Sequence, residues 1–391
     1  MHKRKTVVFL GALVAGALLQ AACGTPEVIP LPPTHLPLTE TPISISAAFP
    51  SPSAEPSRLL NVTIAAPSLK QNLLGDPADR NIGIYLPPSY FTTDQRYPVI
   101  YFLPDFGDQS MLGVSLPDDV DRLIKAGTIK EMIIVIVSGV NLLGGSFYVN
   151  SPVTGNWDDF VTRDVVGYID TNYRTLTRPA SRGIAGHSMG GFGALNLAML
   201  HPNVFGVVYG LSPELLAPDG LGQTPMLASQ STIAATVDTL ARESVLPADQ
   251  AVANMQMASG DTRLALAYAA AFAPDLERNP PIDYPYRRVS GQLVRDDAVW
   301  QRWEDGLGGL ADKVQLDRGN LMRLNGILVD YGLSDPNAWI PAGCEFFSAQ
   351  LTVAGIPNSL VRYAGDHQTS LGERIRVVVL PFFSQKLSFT N

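Results

Sequence analysis

The chain has 391 residues, 46% of them hydrophobic, and carries 28 Lys and Arg against 36 Asp and Glu for a formal net charge of −8. That is enough apolar material for one large core with insertions. The acidic balance excludes a protein that tracks a phosphate backbone, so no nucleic-acid partner is expected. No repeat of solenoid or propeller period is visible in the sequence.

The first informative stretch is the N-terminus. His2-Lys3-Arg4-Lys5 precedes an almost wholly apolar run from Thr6 to Leu19, followed by Gln20-Ala21-Ala22-Cys23. A basic end, a short apolar core and small residues before a cut make an export signal. The run is shorter than the ~20 residues of a comfortable membrane span. The stretch resembles a bacterial lipoprotein signal over residues 1–22, whose removal leaves Cys23 as a lipid-modified first residue. Gln20 departs from that pattern, because a branched apolar residue usually stands there, and ordinary secretory cleavage is the alternative. Two acyl chains on Cys23 would anchor the protein stably to the outer face of a bacterial membrane. The other cysteine is Cys344, so with Cys23 lipidated no internal disulfide is expected. Residues 23–58 are rich in Pro, Thr, Ser and Ala, as in Ile29-Pro30-Leu31-Pro32-Pro33-Thr34, and read as a tether.

From residue 59 to 391 the pattern is that of one folded domain. Leu60–Ala65 and Asn81–Leu86 alternate apolar and polar residues as half-buried strands do. Tyr97–Leu103, Met132–Val137, Gly183–Ala185, Gly206–Gly210 and Gly326–Val329 are apolar on both faces, which suits central strands of a parallel sheet. Helical spacing runs through Asp158–Tyr173, Gly190–Leu200 and Cys344–Ala354, and a last strand is expected at Ser359–Tyr363. Strands alternating with helices give an α/β fold with a doubly wound, mostly parallel sheet. Residues 213 to about 318 break the rhythm with Ala-rich helical stretches and a helical face of Val294, Ala298, Val299, Trp303 and Leu307. This region is expected to be a helical insertion, either beside the active site or as plain scaffold on the sheet edge.

Gly186-His187-Ser188-Met189-Gly190 stands between an expected strand and an expected helix, the context of a nucleophile elbow. A serine there needs a base. Of the five histidines, His2 leaves with the signal and His35 lies in the tether. His187 neighbours the serine and is expected to point away from the site. His201 precedes Pro202 at a helix end, as a cap or surface residue does. His367, after the last strand, remains as the base. The residue that orients it should fall between serine and histidine in the chain. Asp335, past the end of a strand, is the first choice, Asp330 the second and Asp366 the third. The oxyanion donors are expected to be the backbone amides of Met189 and, from the loop Leu103–Asp108, of Phe106. Asp105, Tyr148 and Trp157 are candidates for the substrate pocket. There is no H-E-x-x-H, no Cys-x-x-Cys and too few histidines for a ligand cluster, so neither a metal nor a cofactor is expected.

Tyr85-Leu86-Pro87-Pro88-Ser89-Tyr90, Tyr97–Tyr101 and Arg182–Ala194 resemble the esterase branch of the α/β-hydrolase superfamily. That branch includes feruloyl and acetylxylan esterases, S-formylglutathione hydrolase and mycolyltransferases. The resemblance spans residues 60 to 385 and implies an α/β-hydrolase fold. Asp335 in Asp-Tyr-Gly-x-x-Asp and His367 in Gly-x-His match the family's acid and base positions. The family usually has His-Gly in the oxyanion loop, where Pro104-Asp105 stands here, and often Leu before the serine, where His187 stands.

Together these features imply a serine esterase acting on an extracellular small-molecule or polysaccharide ester. A same-fold acyltransferase, a peptidase and a catalytically silent binding lipoprotein are the alternatives.

Overall fold

Runs that are apolar on both faces form the middle of a single sheet. The computed structural model describes residues 57–108, 116–369 and 371–390. The expected signal, Cys23 and all but the last two residues of the expected tether lie outside them.

Eight strands form the sheet: β1 (Arg58–Ala65), β2 (Asp79–Leu86), β3 (Val99–Leu103), β4 (Ile133–Val137), β5 (Arg182–His187), β6 (Val207–Leu211), β7 (Gly326–Gly332) and β8 (Ser359–Tyr363). Their order is β1-β2-β4-β3-β5-β6-β7-β8. The first three pair antiparallel and all later neighbours pair parallel. The register sends alternate residues of one strand into two different cores. Val99, Tyr101 and Leu103 join Ile133, Val135, Val137, Ile184 and Val208 on one face. Ile100 and Phe102 join Ile134, Ile136, Ala185, Val207 and Tyr209 on the other. A strand covered on both sides can therefore be apolar throughout.

The helices cover those faces: α1 (Leu116–Lys125), α2 (Val166–Asn172), α3 (Met189–Leu200), α4 (Gln230–Glu243), α5 (Ala248–Gln256), α6 (Gly260–Phe272), α7 (Asp297–Leu307), α8 (Leu310–Leu316), α9 (Trp339–Val353) and α10 (Leu380–Lys386). Leu116 and Val120 of α1 and Leu380 and Phe383 of α10 close one core, and α3 and α9 pack into the other. Where the spacing predicts one helix over 158–173, a π-helical segment at Phe160–Val165 precedes α2.

Between β6 and β7 the chain forms α4 to α8 and an exposed hairpin of Tyr286–Val289 with Gln292–Arg295. Val294 lies in that hairpin rather than on the helical face expected for it. The side chain of Asp296 accepts hydrogen bonds from the amides of Ala298 and Val299, at 3.2 and 3.3 Å, and so starts α7 after Val294. Tyr268 of α6 and Trp303 of α7 are fully buried with ring centroids 4.8 Å apart, joining this region to the core.

Candidate active site

β5 and α3 meet at Ser188, whose φ of 55° and ψ of −118° lie where L-residues are strained. The serine carbonyl accepts the amides of Phe192 and Glu214 at 3.0 and 3.1 Å, and its own amide donates to Leu211 O at 2.9 Å. Neighbouring backbone allows no side chain two residues before or two residues after it. A Cβ on Gly186 would lie 2.1 Å from Gly190 O, and one on Gly190 would lie 1.9 Å from Leu103 O. The spacing of glycines around the serine is thus a requirement of close approach between β3, β5 and α3.

The loops after β7 and β8 are tied together by the amides of Leu333 and Ser334, which donate to the carbonyls of Tyr363 and Gly365 at 2.9 Å each. This places His367 Nδ1 2.7 Å from Asp335 Oδ2, and the other Asp335 oxygen accepts the Asn337 amide at 2.9 Å. Both side chains are buried. Burial opposes a charged imidazole. The Asp335 hydrogen bond and charge, with Asp105 and Glu214 nearby, outweigh it and hold the His367 pKa above its usual value.

The other two aspartates have different partners. Asp330 lies inside β7 and accepts from Arg374 Nε at 2.9 Å and from the Tyr209 hydroxyl at 2.6 Å. Asp366 accepts the amides of Gln368 and Thr369 at 2.9 and 2.7 Å, which shapes its own turn.

The amides of Phe106 and Met189 converge on one oxygen, Asp105 Oδ1, at 2.6 and 3.4 Å. A carboxylate oxygen here stands in for the anionic oxygen that such a pair of donors can hold. Gly144 and Gly145 shape this loop from behind, since a Cβ on either would lie 2.6 or 2.5 Å from the Phe106 ring. Gly144 O also accepts the Gly107 amide at 2.8 Å.

Two pocket candidates are corrected. Tyr148 is fully buried, with its hydroxyl 3.0 Å from both Pro104 O and the Gly139 amide and 3.1 Å from Val137 O. It supports the loop carrying Asp105 and Phe106 from within the core. Trp157 is also fully buried, with Nε1 donating to Thr154 O at 2.8 Å, and Arg80 covers its ring. Their aromatic bulk is spent on packing. His201, at the end of α3, pairs with Asp158 Oδ1 at 2.7 Å.

His187 does not point away from the site. Its Nε2 lies 2.9 Å from His367 O, its ring centroid 4.7 Å from that of His367, and its Nδ1 3.9 Å from Asp105 Oδ2. Burial pushes its pKa down. Counting histidines along the chain left too few for a ligand cluster, yet donor atoms of Asp105, His187 and His367 lie within 4.8 Å of one another.

Glu214 is the residue that sequence reasoning missed. Ser188 Oγ donates to Glu214 Oε1 at 3.3 Å, and among the described residues this carboxyl, rather than His367, is the hydroxyl's hydrogen-bond partner. Burial first and the charge of Asp105 second push the Glu214 pKa up to about 8. Its place after Leu211-Ser212-Pro213, in the turn leaving β6, was the one signal available.

A protein family described as Putative esterase matches residues 77–307. An esterase of Mycobacterium tuberculosis is 33% identical over 128 residues, which is 30% of this chain and 25% of that protein. The chain therefore spans about a quarter of the length of this curated relative. An uncharacterized protein of Bacillus subtilis is 24% identical over 158 residues, 37% of this chain and 60% of that one. Among solved structures, a ferulic acid esterase superposes with a TM-score of 0.57 at 19% identity, covering 85% of this chain and 99% of the other. An S-formylglutathione hydrolase of Agrobacterium tumefaciens gives 0.51 at 15% identity, covering 88% and 99%. At such identities the two structures establish the α/β-hydrolase fold.

Proposed function

The chain belongs to the esterase family that matches residues 77–307, and we propose that it hydrolyses carboxylic esters through an acyl-enzyme on Ser188. The observation that carries this reading is the strained serine at the end of β5 in a chain whose two late loops hold His367 Nδ1 2.7 Å from Asp335.

Ser188 Oγ attacks the ester carbonyl while His367 Nε2 takes its proton. Asp335 holds Nδ1–H, fixing the tautomer and stabilising the imidazolium. The negative oxygen of the tetrahedral intermediate takes the place of Asp105 Oδ1 on the amides of Phe106 and Met189. His367 then protonates the departing alcohol, and water activated by the same imidazole releases the acid. Before attack the hydroxyl turns from Glu214 to His367.

The reading extends to an exported enzyme held at the membrane by lipid on Cys23, working on an extracellular ester, one borne by a carbohydrate among them. Support for this comes from the basic and apolar N-terminal sequence, and the extracellular ester follows from export. An intact mass of the N-terminal peptide that shows no diacylglyceryl group on Cys23 would remove the anchor.

Hydrolysis of p-nitrophenyl acetate and butyrate by the purified chain, beside Ser188→Ala, tests the chemistry. Activity that vanishes in the variant, with phosphonate labelling of Ser188 in the parent, supports the enzyme. No activity and no labelling overturn it.

A further inference from the structure

We infer that Asp105, His187 and His367 form a binding site for a divalent transition-metal cation of the zinc class, and that filling it silences Ser188. The second half rests on the esterase reading above; the first half does not.

The donor set is two imidazoles and one carboxylate, ligands that suit zinc. In each imidazole one nitrogen is already engaged with an acceptor. His187 Nε2–H donates to His367 O at 2.9 Å, and His367 Nδ1–H donates to Asp335 Oδ2 at 2.7 Å. Those bonds set both tautomers, so that the lone pairs fall on His187 Nδ1 and His367 Nε2. Metal-binding histidines are oriented in the same way, with the far nitrogen held by a carbonyl or carboxylate.

The third donor, Asp105 Oδ2, lies 3.9 Å from His187 Nδ1, and one donor atom of each residue lies within 4.8 Å of the other two. Zinc bonds of about 2.0–2.1 Å in a tetrahedron separate ligand atoms by roughly 3.4 Å. Closure therefore needs side-chain shifts of about an ångström, on loops that already meet. The competing contact on Asp105 Oδ2 is the Gln368 side-chain amide at 3.3 Å, which a cation would displace. The fourth position of the tetrahedron is left for water.

Charge points the same way. The carboxyls of Asp105 and Glu214 lie close to one another, the charge of Asp105 helping to push the Glu214 pKa up. Among the described residues neither is paired with a Lys or Arg: Asp105 meets amides, Gln368 and His187, and Glu214 meets the Ser188 hydroxyl. A bound cation would supply the counter-charge that Asp105 lacks. It would also occupy the lone pair on His367 Nε2 that removes the proton of Ser188, which is why binding and hydrolysis exclude one another.

The test uses the full chain after treatment with EDTA. Zinc chloride is titrated by calorimetry into the parent, into Ser188→Ala, which keeps all three ligands, and into His187→Ala. Asp105→Asn is a second ligand variant should His187→Ala fold poorly. Parent and Ser188→Ala are expected to bind one zinc per chain. The ligand variants should bind at least about tenfold more weakly, the lower end of what losing even an outer partner costs. Ester hydrolysis by the parent should fall with zinc and return with EDTA, and the half-inhibiting concentration should rise by at least the same factor in His187→Ala. Absence of binding to Ser188→Ala, or unchanged affinity in both ligand variants, overturns the site whether or not the chain hydrolyses esters. Stoichiometric binding with undiminished hydrolysis overturns the silencing.

Discussion

Asp330 and Asp335 belong to the same strand and its outgoing loop, and both are buried, but they face different partners. Inside β7, Asp330 meets the Arg374 guanidinium and the Tyr209 hydroxyl. Beyond the strand end, Asp335 meets the His367 imidazole, which can take up and release a proton. One carboxylate holds the sheet to the C-terminal helices and the other orients an imidazole. Here the strand interior holds a fixed ion pair, while the group facing an imidazole stands on the loop at the strand end.

That contrast can be broken in several ways. The largest effect should come from Ser188→Ala, which should lower turnover about 10⁶-fold while the melting temperature stays close to that of the parent, as triad knockouts do elsewhere. Asp335→Asn should cost about 10⁴-fold in kcat by allowing the wrong imidazole tautomer. Asp330→Ala should reverse the pattern. It leaves Arg374 buried without its partner, so urea unfolding should show a loss of about 3–5 kcal/mol, and the folded fraction should keep its hydrolysis rate. Loss of activity without loss of stability in Asp330→Ala would erase the distinction between the two aspartates.

The pH profile sharpens it further. His367 must be neutral to act, and its pKa is raised, so kcat/KM should fall on acidification through a value above the usual ~6.5. Against the downward pull of burial, the hydrogen bond to Asp335 does most to raise it, so Asp335→Asn should shift that acidic limb downward. Glu214 is neutral below about 8. Above that its carboxylate places negative charge beside the developing oxyanion, so kcat/KM should decline as pH passes about 8, and Glu214→Gln should remove the decline. The smallest effect is expected from Tyr148→Phe. It leaves the Gly139 amide without a buried acceptor and should cost about 1–3 kcal/mol, with a modest fall in kcat as the Asp105–Phe106 loop loosens.

Much of the scaffold was legible. The continuous apolar runs at 97–103 and 132–137 could be central strands because each residue finds a core whichever way it points. The elbow was legible because backbone crowding at Gly186 and Gly190 leaves only glycine, and that requirement is written into the chain. Tyr148 and Trp157 were misread because an aromatic residue on an expected loop looks the same in sequence whether its ring lines a pocket or fills the core. His187 was misread because its direction depends on the His367 loop, which arrives from the other end of the chain.

The sequence by itself determined the doubly wound sheet, the tight strand-to-helix turn at Ser188 and the short set of aspartates and histidines that could serve it, since periodicity and glycine placement are local properties. Only the tertiary structure decided which aspartate reaches His367, that Glu214 holds the Ser188 hydroxyl, and that Asp105 and His187 face the same imidazole. Those contacts join loops from β3, β5, β6, β7 and β8, and distances across strand ends are set by packing of the whole sheet rather than by any one segment.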